Sequence, residues 1–366
     1  MVSMEELLNQ MVQRGGSDLH LSAGSPPKVR IDGRLVDTDY EALAPDVCKK
    51  LVYSVLGPDQ VAKFEKNLEL DFSFGVANLG RFRTNAFLQR GTVAAVLRVI
   101  PYEVFDFQTV GLPVKVCEWI CNLPRGLVLC TGTTGSGKST TLASMVNYIN
   151  ESRENHIVTI EDPIEFLHGN KQSLVNQREV GSDTLGFEKA LRSVLRQDPD
   201  VVLVGEMRDL ETIEAALTLA ETGHLTFATL HTSDVTQTVN RIVDVFPAHQ
   251  QQQIRTMLSF TLQAVVCQQL IPRATGKGRV LASEILIVTP AIRALIRDNK
   301  AHQIMSTIQT SGAAGMRSMN QSLFDLYRAG AITHEDALES CHDEADFQRL
   351  MERPTSSSAP RRPISR

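Results

Sequence analysis

Along the chain, the spacing of apolar positions changes character twice. Over the first hundred residues the segments are short. Leu7, Leu8 and Met11 share one face of a helix predicted from Met4 to Met11, and Gly15-Gly16-Ser17-Asp18 ends it. Alternating segments follow at Leu19-His20-Leu21, Lys28–Ile31 and Asp71–Phe74. A hairpin is predicted from Gly80 to Ile100, turning near Gln89-Arg90-Gly91. Residues 1–100 therefore read as a small α/β domain. Residues 101–113, PYEVFDFQTVGLP, carry two prolines and little periodicity, which marks a linker. From 114 to 290 four unbroken apolar runs stand between helical segments: Leu127–Cys130, Ile157–Ile160, Val201–Val204 and Leu225–Leu230. Runs without alternation fit strands buried on both faces, hence an α/β fold with a mostly parallel sheet and helices on either side.

Thr289-Pro290 then supplies a capping hydroxyl and a first-turn proline, opening a region predicted helical over 291–350. Met319, Leu323, Leu326 and Tyr327 form one stripe there, closed by Gly330, and Thr333 with Asp336 starts another helix. Residues 351–366, with RPTSSSAPRRPISR from Arg353 onward, offer almost nothing to pack and are expected to be disordered.

The first of the four runs leads into Gly132-Thr133-Thr134-Gly135-Ser136-Gly137-Lys138-Ser139-Thr140, which fits the phosphate-binding pattern G-x-x-x-x-G-K-[ST]. Glycines allow a tight turn whose N–H groups converge on phosphate oxygens. Leu142, Met145, Val146 and Ile149 continue with helical spacing, so a helix N-terminus faces the same anion. Lys138 would reach the β- and γ-phosphates of ATP, and the Ser139 hydroxyl would ligate Mg²⁺.

Composition adds limits. The 366 residues are 42% hydrophobic and 22% charged, ordinary for a soluble globular protein of two or three domains. No apolar stretch approaches the ~20 residues of a membrane span. MVSMEELLNQ lacks the basic-then-apolar layout of a signal peptide, so the cytoplasm is the expected compartment. A net charge of −5 argues against a general nucleic-acid coat. Six cysteines are scattered without a C-x-x-C pair; Cys117 and Cys121, one helical turn apart, are expected to pack in the core.

The other three apolar runs also end in ionisable residues. Ile160 precedes Glu161-Asp162-Pro163-Ile164-Glu165, Val204 precedes Gly205-Glu206, and Leu230 precedes His231. Ligands of open parallel sheets bind beyond the carboxyl ends of the strands, so these ends are expected to meet around one nucleotide. Glu206 stands where a metal-binding acid belongs, although Gly205 replaces the aspartate many P-loop enzymes carry before it. Orienting the attacking water falls to Glu161 or Glu165; Glu165 is preferred for the water, and Glu161 for the metal side. His231 is expected near the γ-phosphate. His224 lies seven residues away, roughly 23 Å along an extended strand and on the opposite face, so the two cannot share a metal unless the strand breaks. His224 is read as a packing or subunit contact. The nucleotide domain shows no obvious second cation. Arg81, Arg83 and Arg98 of the hairpin are candidate arginine fingers, supplied from another domain or subunit, against the plainer reading of solvated surface charge.

Together GTTGSGKSTT, TIEDPIEF, RQDPDVVLVGEMRD and TGHLTFATLHT closely resemble the Walker A, Asp-box, Walker B and His-box of the ATPases of type II secretion and type IV pili. The resemblance runs from GGSDLHLSAGSPP to about residue 350 and is strongest with the pilus retraction ATPases. A glycine before the Walker B glutamate is usual in that family. No long N-terminal extension and no four-cysteine zinc insert are read here. Ala291-Ile292-Arg293-Ala294-Leu295-Ile296-Arg297-Asp298 is similar to a C-terminal motif of the retraction enzymes, AIRNLIRE, but departs at Ala294 and Asp298. Arg293 and Arg297 lie one turn apart, away from the apolar face.

The resemblance implies an N-terminal PAS-like domain, a RecA-like ATPase core and a homohexameric ring at the cytoplasmic face of the inner membrane. It implies ATP bound between the two domains, a hinge near 101–113, and work on an inner-membrane platform protein of the pilus machinery that retracts the pilus and drives twitching motility. An accessory paralogous retraction ATPase is the near alternative. A RecA-like nucleic-acid translocase is the distant one, disfavoured by the acidic balance and by 5% aromatic content.

Overall fold

The computed structural model describes residues 2–77, 79–100 and 103–352. The chain divides into two compact units. The first comprises 1–104 with 162–169 and 178–185; the second comprises 105–161, 170–177 and 186–366.

In the first unit, α1 (Met4–Gln13) is followed by β1 (Asp18–Leu21), β2 (Lys28–Ile31), β3 (Arg34–Asp37), α2 (Pro45–Tyr53), α3 (Pro58–Asn67), β4 (Glu69–Val76), β5 (Gly80–Gln89) and β6 (Thr92–Ile100). The strands form an antiparallel sheet in the order β3-β2-β1-β6-β5-β4. Ser3 caps α1 in a reciprocal pair with Glu6. Met4, Leu7, Leu8 and Met11 then join Leu19, Val29, Phe82 and Leu97 in one core. The expected β5–β6 hairpin is present. Its two turn residues, Arg90 (φ 49°) and Gly91 (φ 75°), are both left-handed, as a two-residue hairpin turn requires.

The second unit runs α4 (Phe107–Val110), α5 (Val114–Cys121), β7 (Gly126–Thr131), α6 (Lys138–Ser152), β8 (His156–Glu161), β9 (Leu174–Glu179), α7 (Phe187–Val194), β10 (Val201–Val204), α8 (Leu210–Glu221) and β11 (Leu225–Leu230). It continues through α9 (Val235–Asp244), α10 (Gln251–Thr261), β12 (Leu262–Pro272), β13 (Arg279–Ile287), α11 (Pro290–Arg297), α12 (Ile304–Thr310), α13 (Met319–Arg328), α14 (His334–Ser340) and α15 (Glu344–Glu352). Strand order is β13-β12-β7-β11-β10-β8-β9. The four strands read from the sequence are mutually parallel and adjacent, and β7, β10 and β11 are buried at every residue. Cys117 and Cys121 pack in this core; burial pushes the Cys117 thiol up to about 12.

Three expectations need correction. Residues 105–113 are not a bare linker: Asp106 caps α4, and Phe107 and Leu112 lie in the second unit's core. Pro101 and Tyr102 of that segment, and 353–366 of the expected disordered tail, lie outside the described residues, while Met351 and Glu352 end α15. The block 114–290 is not one compact body, because 162–169 and 178–185 pack with the first unit. The β12–β13 pair was not foreseen. It extends the sheet beyond β7, with β12 parallel to β7 and β13 antiparallel to β12.

Candidate active site

β7 delivers the chain directly into the phosphate loop. Gly132 has φ 139°, and a Cβ there would fall 2.4 Å from the Gln268 carbonyl of β12 and 2.5 Å from Ser136 Oγ, so no other residue fits. Gly135 (φ 78°) and Gly137 (φ 93°) complete the turn, and Gly137 stands as the N-cap of α6 with no side-chain cap. Lys138 is buried and donates from Nζ to the carbonyls of Gly132 (2.8 Å) and Thr133 (2.9 Å). Burial pushes its pKa down, against the upward pull of Glu206. Thr133, Thr134, Gly135 and Ser139 are exposed, with Thr140 half-buried.

Register sets the neighbours. Leu230 of β11 pairs with Thr131 of β7, so His231 follows level with Gly132. Val204 of β10 pairs with Ile160 of β8, which brings Gly205 against the end of β8. A Cβ on Gly205 would lie 3.1 Å from Glu161 Cα and from the Ile160 carbonyl, a steric reason for glycine at this position. Thr229 Oγ1 donates to the Gly205 carbonyl (2.6 Å) and Met207 N to the Thr229 carbonyl (3.0 Å). The turn bearing Glu206 is thus stitched to β11, two residues before His231.

Glu206 Oε1 receives His231 Nε2 at 3.0 Å and Arg208 Nε at 2.6 Å. Burial raises its pKa, but the Arg208 hydrogen bond and the charges of His231, Arg208 and Lys138 outweigh that and hold the carboxyl below its ordinary range. Glu161, buried at the end of β8, accepts from Thr159 Oγ1 (2.6 Å) and Gln177 Nε2 (3.2 Å). Lys138 and His231 are therefore both within electrostatic reach of Glu206 in one unit. Glu165 is placed differently, in the 162–169 segment of the first unit.

The reading that the nucleotide domain lacks a second cation is corrected. Arg208 lies on Glu206, and Arg279 of β13 points Nη1 at the Gly135 carbonyl at 3.5 Å. Arg208 had a signal in the sequence, two residues beyond a strand-end acid. Arg279 had none, because β13 itself was not read.

With this geometry in place, the family described as "Type II/IV secretion system protein" matches residues 3–338. The chain belongs to this family. Among relatives, the "Type IV pilus retractation ATPase PilT" of Pseudomonas aeruginosa is 51% identical, covering 94% of this chain and 100% of the relative. The "Type IV pilus ATPase PilU" of the same organism is 42% identical, covering 96% and 91%. A solved structure titled "Crystal Structure of the Pilus Retraction Motor PilT and Bound ADP" superposes with a TM-score of 0.89 at 52% identity, covering 95% of this chain and 100% of that one.

The loop suits the nucleotide of a secretion-family ATPase on its own chemistry. Ser136 Oγ is buried without a hydrogen-bond partner, α6 lacks a side-chain cap, and Lys138 holds its ammonium on loop carbonyls. Each is a donor set that a polyphosphate would complete.

The remaining predicted residues sit elsewhere. In the first unit Arg83 stands directly opposite Arg98 across β5 and β6. Arg98 Nε donates to buried Asp18 at 2.7 Å, and Arg30 approaches the same carboxylate at 3.9 Å. Arg81 Nη2 lies 3.6 Å from Glu179 Oε2. His224 occupies the far end of β11 from His231, where its Nδ1 meets the Leu219 carbonyl (3.0 Å) and Thr222 Oγ1 (3.1 Å) at the end of α8. Arg293 caps a different helix: its Nη1 donates to the Ser259 (2.8 Å) and Phe260 (2.7 Å) carbonyls closing α10. Arg297 is exposed beside Asp298. Among the described residues no helix is long and apolar enough to cross a membrane.

Proposed function

We propose that this chain is the ATP-hydrolysing motor that powers type IV pilus retraction. The carrying observation is near-complete coverage at 51% identity by a retraction ATPase, against 42% for PilU. Residues Gly132 to Thr140 bind the phosphates of ATP. Ser139, Glu206 and Glu161 would hold Mg²⁺, partly through water. When bound there, the ion would supply positive charge against that developing on the β- and γ-phosphates. Lys138 stabilises the same charge, His231 reports the state of the γ-phosphate to β11, and Glu165 orients the attacking water. One or more of Arg81, Arg83 and Arg98 supply further positive charge. The working assembly is a homohexamer, peripheral to the inner membrane on its cytoplasmic side. It acts on the pilus platform protein, with a paralogous ATPase as a further partner and no nucleic acid.

The PilU-like reading keeps a foothold in Ala294 and Asp298, which depart from the retraction motif. Deletion of the gene separates the two. Excess surface pili with lost twitching supports the retraction motor; normal pilus numbers with weakened retraction supports the accessory role.

A further inference from the structure

The 162–169 segment leaves the end of β8 and is held in the first unit by Glu179. The backbone N–H of Ile164 donates to Glu179 Oε2 at 3.2 Å, and Arg81 Nη2 stands 3.6 Å from that same oxygen. Ser182 Oγ lies 3.3 Å from the other carboxylate oxygen, and Glu179 N donates to Asp183 Oδ2 at 2.8 Å. Glu179 and Ile164 are 4% and 3% exposed. The residue after Ile164 is Glu165. Two contacts thus connect the Arg81 guanidinium to the backbone that carries Glu165.

A carboxylate this buried needs its cation. Taking Arg81 away to meet a phosphate would leave the buried Glu179 carboxylate with the Ile164 amide and the Ser182 hydroxyl but without its ion-pair partner, a costly arrangement. The other hairpin arginines are not bound in this way. Arg83 is exposed, and the Arg98 side chain is 67% exposed despite its bond to Asp18.

We propose that Arg81 is a positioning residue for Glu165, acting through Glu179, and not a cation delivered to the terminal phosphate. The proposal rests on the reading of the chain as an ATPase in which Glu165 orients water. Arg81 fixes Glu179, Glu179 fixes the Ile164 amide, and the amide sets where Glu165 stands. Arg83 and Arg98 are left as the candidates for phosphate contact.

The test uses the full chain, steady-state MgATP hydrolysis and hydrogen exchange of residues 162–169. Arg81→Ala and Glu179→Gln should each lower kcat by about 10- to 100-fold, the scale expected when a reacting group is displaced by about 1 Å, with KM little changed. The Arg81→Ala/Glu179→Gln double variant should be no slower than the slower single variant, and Arg81→Ala/Glu165→Gln no slower than Glu165→Gln. Arg81→Lys should restore most of kcat, because a single cation-to-carboxylate contact does not need the guanidinium fork. The Ile164 amide should exchange faster in both single variants. The proposal is overturned by additive losses in either double variant, by wild-type kcat in Glu179→Gln, or by unchanged exchange at Ile164 in Arg81→Ala. No turnover by the wild-type chain would overturn the ATPase reading itself, a result distinct from all of these.

Discussion

The phosphate loop of the second unit and the arginine-bearing hairpin of the first both carry positive charge and treat it in opposite ways. Around β7 the polar groups of the loop are not tied to acidic side chains by hydrogen bonds. Ser136 Oγ has no partner, α6 has no side-chain cap, and Lys138 rests on carbonyls rather than on a carboxylate. On β5 and β6 two of the three candidate arginines already have carboxylates, Arg98 on Asp18 and Arg81 on Glu179. The phosphate loop keeps a buried hydroxyl unpaired between β7 and α6. A surface that holds itself together spends its charges internally. The second unit can therefore meet an anion without breaking a salt bridge of its loop, whereas in the first unit Arg81 and Arg98 would each have to leave a carboxylate and the exposed Arg83 would not.

The largest expected effect falls on the open side of the comparison. Lys138→Ala should abolish turnover, a loss on the order of 10³-fold or more, and weaken nucleotide binding measured by calorimetry. The melting of the chain without nucleotide should stay close to wild type. Retained turnover would break the comparison.

A second effect concerns a buried acid of the second unit that points to no ligand. Glu284 of β13 is fully buried and accepts the N–H groups of Val235 (2.9 Å) and Met319 (3.4 Å), tying the starts of α9 and α13 together. Burial raises its pKa from 4.5 to about 7. The proton is held more tightly in the folded state. Its contribution to stability is therefore full below pH 4.5 and lost as pH rises through 7. Glu284→Gln should remove that dependence, a change of about 3 kcal/mol between the two limits, read by denaturant unfolding across pH.

On the self-satisfied side, Asp18→Asn should cost about 1–3 kcal/mol of stability by loosening Arg98 and Arg30, with nucleotide affinity unchanged. A loss of affinity instead would merge the two regions into one binding surface. The smallest effect sharpens the assignment of Arg208. Removing it takes away a hydrogen bond that lowers the Glu206 pKa. The acid limb of the kcat/KM profile of Arg208→Ala should therefore move to higher pH.

Much of this was legible in the sequence where local chemistry decides the outcome. The phosphate loop, the four parallel strands, the hairpin turn at Arg90-Gly91 and the caps at Thr289 and Thr333 each follow from a few adjacent residues. What stayed hidden depends on distant contacts. Helix α10 passes into β12 between Thr261 and Leu262 with no turn residue to mark the change, so the β12–β13 pair and Arg279 with it went unread. The packing of 162–169 with the first unit depends on Glu179, an acid whose burial no spacing announces. Glu284 likewise sits in an apolar strand with nothing local to show that two helix starts converge on it.

The central claim is that Glu206, held by His231 and Arg208 beside Lys138, acts on the metal-bound phosphates during hydrolysis rather than in binding them. Measuring ATP affinity and single-turnover hydrolysis of Glu206→Ala in parallel tests this most directly. The account predicts binding close to wild type with hydrolysis stalled. Hydrolysis at the wild-type rate, or loss of binding equal to that of Lys138→Ala, would contradict it.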